Sequence, residues 1–149
     1  MDVSIGRDTL IALAAVAWAD GTMAPEEARG IRAAARQLAL GADDLLAVED
    51  AIAHRVEVGD VETLRMNRLT RLFTYAVASW VATLDGRVAP EEEAALRALG
   101  DRLGLSSIAR ERARSVGLAV GRAGDTIEAY DLIKLRSRLS AGLSQIGDD

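Results

Sequence analysis

Cysteine is absent from the 149 residues and histidine occurs once, at His54. The first absence removes disulfides, thiolate metal sites and cysteine nucleophiles together, and fits a reducing cytoplasm, the expected location. The second removes sites that need two or three imidazoles, so any metal would have to be a hard cation held by oxygens. Aromatic residues make up only 3% of the chain: Trp18, Trp80, Phe73, Tyr75 and Tyr130. That is too few for a base-stacking platform, and a net charge of −5 argues against a phosphate-backbone partner, so nucleic acid is not expected. Only two prolines interrupt the chain. No apolar run approaches the roughly eighteen uninterrupted residues of a membrane span, so the chain is expected to be soluble, with at most a peripheral place in a membrane complex.

What the chain does contain is one passage written twice. Ala19-Asp20-Gly21-Thr22-Met23-Ala24-Pro25-Glu26-Glu27 returns as Leu84-Asp85-Gly86-Arg87-Val88-Ala89-Pro90-Glu91-Glu92. Each copy follows an apolar helical run and opens a second run that closes on Leu38-Ala39-Leu40 or Leu103-Gly104-Leu105. Nearly half of about twenty positions are identical, so the unit is a helix, an acidic turn and a second helix, duplicated within one chain. The first apolar run, Leu10 to Ala19, imitates a signal-peptide core. Its flank carries Asp2 and Asp8 against Arg7, and a similar run recurs at Tyr75 to Leu84, so it reads as the first helix of the repeat.

Abundant alanine, leucine, arginine and glutamate predict an all-α fold of about seven helices in a compact bundle with an internal pseudo-two-fold. The expected helices run from Asp8 to Ala19, Pro25 to Leu40 with Gly41 as the stop, Asp43 to Val58 closed by Gly59, and Val61 to Leu84 capped by Asp60. Three more follow, from Pro90 to Leu103, from Ser106 or Ser107 to between Gly121 and Gly124, and from Asp125 or Thr126 to Leu143, before a frayed tail at Gly147-Asp148-Asp149. Leu69, Leu72, Phe73, Ala76, Val77, Trp80, Val81 and Leu84 recur at three-to-four spacing and predict a core stripe. Residues 1–149 then form a single domain, with repeat units at about 8–58 and 61–121 and a C-terminal helix at about 125–143.

The acidic turns have two readings. As punctuation, Gly21 and Gly86 close one helix in the left-handed region, and Pro25 and Pro90 open the next at a position where a missing N–H costs nothing. Glu26-Glu27 and Glu91-Glu92 lie in the first turn against the positive end of the helix dipole. With Ala24 and Ala89 at the cap positions, Glu27 and Glu92 are left to reach back to the free backbone donors. As a site, the seven-residue spacing from Asp20 to Glu27, with glycine directly after the aspartate, reproduces the second half of an EF-hand calcium loop. The first half is missing, since Val16, Trp18, Val81 and Thr83 stand where oxygen ligands belong. A shared site across the pseudo-two-fold, with Asp20, Glu27, Asp85 and Glu92 converging on one calcium or magnesium ion, is the alternative.

Other singled-out groups have structural explanations. His54 sits beside Arg55 without a nucleophile partner, Ser106-Ser107 reads as a helix cap, and Trp18 and Trp80 as core or rim. Arg110, Arg112 and Arg114 alternate with Glu111 and apolar residues as a solvated helix surface.

A helix ending in Ala19-Asp20-Gly21, a short apolar spacer, Glu26-Glu27 at a helix start and a Leu38-x-Leu40 end resembles the tellurite-resistance TerB family, whose module also precedes some membrane-anchored J-domain co-chaperones. The resemblance is strongest over Ala12 to Leu40 and repeats over Val77 to Leu105. It implies an all-α domain of about seven helices whose acidic positions serve as a metal-binding or partner-docking surface: Asp20, Glu26 and Glu27, with Asp85, Glu91 and Glu92 as their repeats. It does not carry over a co-chaperone role, because His54 is followed by arginine and no His-Pro-Asp signature exists. The expected function is a non-enzymatic binding or scaffold module in bacterial tellurite, metal or envelope stress, with a protein partner. The rivals are a metal-dependent hydrolase or metal buffer, for which no nucleophile-base pair is visible, and a purely structural interaction domain.

Overall fold

The structure, a computed structural model, describes residues 6–64, 66–84, 89–123 and 130–142. Seven helices account for most of it: α1 (Arg7–Ala17), α2 (Pro25–Leu38), α3 (Ala42–Ala53), α4 (Arg68–Val81), α5 (Pro90–Arg102), α6 (Ser107–Ala123) and α7 (Leu132–Ala141), with short 3-10 turns at Trp18–Asp20 and Val58–Asp60. No strand occurs among the described residues, and the fold is all-α.

Two helices are buried almost all round. In α1 the side chains from Thr9 to Ala17 are covered except Ile11, and in α4 those from Leu72 to Val81 are covered without a break. A helix that is apolar on every face is stable only with neighbours on every side. α1 and α4 pack on each other, α3 covers α1, and α6 covers α4. α2 and α5 close the flanks, α2 against α1, α3 and α4, and α5 against α1, α4 and both 3-10 turns. The predicted stripe is core at Leu72, Phe73, Ala76, Val77, Trp80 and Val81, while Leu69 and Leu84 are partly buried at its ends.

The order α1-α2-α3 repeats as α4-α5-α6. Thr9 of α1 and Thr74 of α4 share a buried hydrogen bond of 2.9 Å and stand 65 residues apart. The same spacing separates Asp20 from Asp85 and Glu27 from Glu92. Equivalent residues of the two copies therefore meet at the α1–α4 interface.

Several predicted boundaries move, each for a visible reason. The helix expected from Val61 under an Asp60 cap begins at Arg68 instead. Asn67 is its cap, its Oδ1 accepting from the Thr70 N–H at 2.8 Å. The stretch before it is held by arginines: Arg102 Nε donates to the Val61 carbonyl at 2.8 Å, and Arg71 donates to the carbonyls of Met66, Thr63 and Leu103 at 3.0, 3.1 and 2.8 Å. Carbonyls satisfied in this way need no helix. Asp60 instead tightens a 3-10 turn, accepting from the Glu57 N–H.

α3 stops at Ala53 and not at Val58, because His54 is extended. α1 ends at Ala17, and Trp18–Asp20 continues as a 3-10 turn with Trp18 Nε1 donating to the Ala51 carbonyl at 2.8 Å. α2 ends at Leu38, closed by Ala39 in the left-handed region (φ 53°) and not by Gly41. Ser106 caps α6, its Oγ accepting from the Ala109 N–H at 3.1 Å. α7 begins at Leu132 with Asp131 as cap, its Oδ1 accepting from the Lys134 N–H at 3.0 Å. The earlier start predicted at Asp125 or Thr126, the end at Leu143 and the frayed tail lie outside the described residues.

Candidate functional site

The first acidic turn is described throughout. Asp20 ends the 3-10 segment, and Gly21 takes a φ of 93°, which a side chain would resist. The Asp20 Oδ1 accepts from both the N–H and the hydroxyl of Thr22, at 3.0 and 3.1 Å, an Asx turn at the surface. Pro25 then opens α2 and Glu27 turns back, its Oε1 accepting from the Ala24 N–H at 3.2 Å.

The second turn repeats the second half of this arrangement: Pro90 opens α5, and Glu92 Oε1 accepts from the Ala89 N–H at 3.0 Å. Asp85, expected as the repeat of Asp20, and Gly86 with it lie outside the described residues. In both copies the glutamate takes over the capping that an alanine cannot provide.

The structure divides each glutamate pair. Glu27 and Glu92 are 1% and 0% exposed, while Glu26 and Glu91, one residue earlier, stand in solvent. A helical turn rotates successive side chains by about 100°, so adjacent glutamates cannot share an environment when one face is packed. Glu92 also has an oxygen, Oε2, that is buried and accepts no hydrogen bond from the described residues. α5 lies against the Trp18–Asp20 turn.

Among the described residues, however, no three of His, Cys, Asp and Glu are grouped so as to hold a metal; Asp20, Glu26, Glu27, Glu91 and Glu92 do not form such a group. Cavities of about 150 Å³ at the start of α1 and about 240 Å³ beside Arg68 and Arg71 are lined by no residue of the turns.

The remaining candidates are placed as follows. His54 is exposed, with Nδ1 3.1 Å from Asp50 Oδ1 one turn earlier. Arg110 pairs with Asp101 at 2.7 Å and Arg114 with Glu93 at 3.0 Å, while Arg112 is exposed. Trp18 is half-buried. Trp80 is buried, and its ring stacks on Tyr130 with centroids 3.8 Å apart and an interplanar angle of 17°. Burial raises the Tyr130 phenol above its ordinary value near 10, and burial likewise raises Tyr75.

The Tyr130 seat was not foreseen from sequence. Its signal is the row of small residues at Gly30, Ala33 and Ala34, which leaves a slot against Trp80. No helix among the described residues is long and apolar enough to cross a membrane. No family model, curated protein or solved structure matches this chain.

Proposed function

We propose that the protein is a non-enzymatic binding module whose docking surface is the exposed acidic rim of the two helix starts, Asp20, Glu26 and Glu91, facing a basic segment of a protein partner. The observation that carries the reading is the division of each glutamate pair. Glu27 and Glu92 are consumed as caps, whereas Glu26 and Glu91 remain in solvent at the same end of their helices. A net charge of −5 complements a basic partner. The resemblance to TerB rests on the residue pattern of the turns alone, and a tellurite, metal or envelope-stress role in the cytoplasm is part of the proposal on that footing.

A second reading, a divalent-cation site at the turns, is favoured by the buried Glu92 Oε2, since an orphaned carboxylate oxygen is a position that an ion can satisfy.

Calorimetric titration separates the two. Metal-free protein is titrated with calcium and magnesium, then with a short oligolysine peptide at low and high salt. Peptide binding that weakens with salt and falls in the Glu26→Gln/Glu91→Gln variant supports the docking surface. Saturable cation binding that survives this variant but is lost in Glu92→Gln supports the second reading. Flat traces with both ligands reject both.

A further inference from the structure

Three helices begin around one cavity. A space of about 150 Å³ is lined by residues 6–9 at the start of α1, by Asp44 in the first turn of α3, and by Thr70 in the first turn of α4 with Met66 just before it. Its floor and its mouth differ. Thr9, Thr70 and Met66 are 1%, 1% and 6% exposed, whereas the side chains of Arg7 and Asp44 are 44% and 43% exposed.

The floor holds an unmet polar group. The Thr70 hydroxyl is buried, and no described residue bonds to it. Its backbone N–H is already spent on Asn67 Oδ1, and the Thr9 hydroxyl beside the cavity is already paired with Thr74. A buried hydroxyl without a partner is unfavourable, and a molecule in the cavity can supply one.

The wall carries charge of both signs. Helix starts bear partial positive charge and N–H groups without intrahelical partners, and Gly6 and Gly41, at the cap positions of α1 and α3, have no side chain to answer them. Arg7 adds a full positive charge, and Asp8 and Asp44 add two negative ones. Arg7 Nη1 and Asp44 Oδ1 stand 3.6 Å apart, beyond hydrogen-bond distance, so each can turn to a ligand without breaking a formed bond. A simple anion in this space would face two carboxylates, and a simple cation would face Arg7 and the positive ends of three helices. A molecule that carries both charges meets neither objection.

We propose that this cavity binds a small zwitterion with a carboxylate and an ammonium group on one carbon, the chemistry of a free α-amino acid. The carboxylate accepts from the Thr70 hydroxyl and the start of α1, and the ammonium donates to Asp8 and Asp44. Size agrees with this assignment, because a cavity of roughly 150 Å³ takes a ligand of about six non-hydrogen atoms, the size of alanine. The inference is independent of the acidic turns, none of whose residues lines the cavity.

The test titrates the isotope-labelled full chain with L-alanine, acetate and methylammonium at equal ionic strength and follows the backbone amide shifts. The expected result is saturable movement of the Arg7, Asp8, Asp44 and Thr70 amides with L-alanine. Acetate and methylammonium, which each keep one of the two charges, should bind at least about tenfold more weakly. Thr70→Val, close to the parent in shape, should bind L-alanine about tenfold more weakly, as the loss of a hydrogen bond to a charged group implies, and Thr70→Ser should restore the affinity. Asp44→Asn changes an exposed position and should weaken L-alanine without weakening acetate, which keeps the test decisive if Thr70→Val does not fold. The absence of saturable shifts with L-alanine in the parent overturns the proposal. Acetate or methylammonium binding as tightly as L-alanine overturns it too, because the cavity then reads a single charge. Equal L-alanine affinity in the parent, Thr70→Val and Asp44→Asn overturns it as well.

Discussion

Thr9 and Thr74 occupy equivalent positions in the two halves of the chain, and their hydroxyls meet at 2.9 Å in a site where both residues are almost completely buried. One hydroxyl donates and its counterpart in the other half of the chain accepts. Replacing one by valine strands the other in the core, which costs about 1–3 kcal/mol, whereas replacing both removes donor and acceptor together and is close to neutral. Urea unfolding of Thr9→Val, Thr74→Val and the double variant gives the coupling directly. Additive losses would mean that the pair does not act as a unit.

A second equivalence has been filled unequally. Ala39 and Gly104 both close a helix in the left-handed region, at φ 53° and 71°. Left-handed backbone costs a residue with a Cβ roughly 1–2 kcal/mol, against about 0.5–1 kcal/mol for the extra freedom that glycine loses on folding. Ala39→Gly is therefore expected to raise stability by about 0.5–1 kcal/mol and Gly104→Ala to lower it by a similar amount. The space around Gly104 is open, its nearest contact being Arg71 Nη1 at 3.8 Å, so the second change reports the backbone alone. Thermal midpoints of the two variants moving in the same direction would contradict this account.

Gly117 has a steric role. A Cβ there would lie 2.5 Å from the carbonyl oxygen of Ala76, backbone that no side-chain rotation can move. Gly117→Ala should force α4 and α6 apart and cost about 1–3 kcal/mol by overpacking, despite the better helix propensity of alanine. Equilibrium unfolding checks this, and a stabilised variant would show that the two helices have slack.

The buried tyrosine gives the protein an alkaline limit. The Tyr130 phenol is raised above its ordinary value near 10 by burial, so above pH 10 the unfolded chain loses a proton that the folded one keeps. Its contribution is complete below pH 10 and declines as pH rises beyond it, by about 1.4 kcal/mol per pH unit. Urea midpoints measured from pH 9 to 11 should fall accordingly. In Tyr130→Phe the fall should be shallower, from a lower starting stability because the bond to the Gly117 carbonyl is gone.

For the glutamates the variants should sort by burial and not by sequence order. Glu27→Ala and Glu92→Ala remove a cap and each lose about 0.5–2 kcal/mol. Glu26→Ala and Glu91→Ala, at exposed positions, should stay within about 0.5 kcal/mol of the parent. Denaturant titration of the four variants distinguishes the two classes, and equal losses in all four would remove the distinction between cap and rim.

What could be read directly from the residues is local. The pattern Asp-Gly, Ala-Pro, Glu-Glu announces a stop, a gap and a start within nine positions, and the structure places Gly21, Pro25 and Glu27 in those roles, with Pro90 and Glu92 as their described repeats. The α4 start was misread because Asp60 looks like a cap. Nothing near it in sequence reveals that Arg102, 41 residues further on, takes the Val61 carbonyl.

The sequence alone determined that this is a helical chain built twice over, because capping, left-handed closure and apolar periodicity act among residues a few positions apart. Tertiary packing decided which glutamate of each pair is buried, where α4 begins and where Tyr130 sits. Those outcomes rest on contacts between residues distant in the chain, Arg71 with Leu103, Gln37 with residues 130 and 132, and Thr9 with Thr74, and such contacts exist only once the helices have closed on one another.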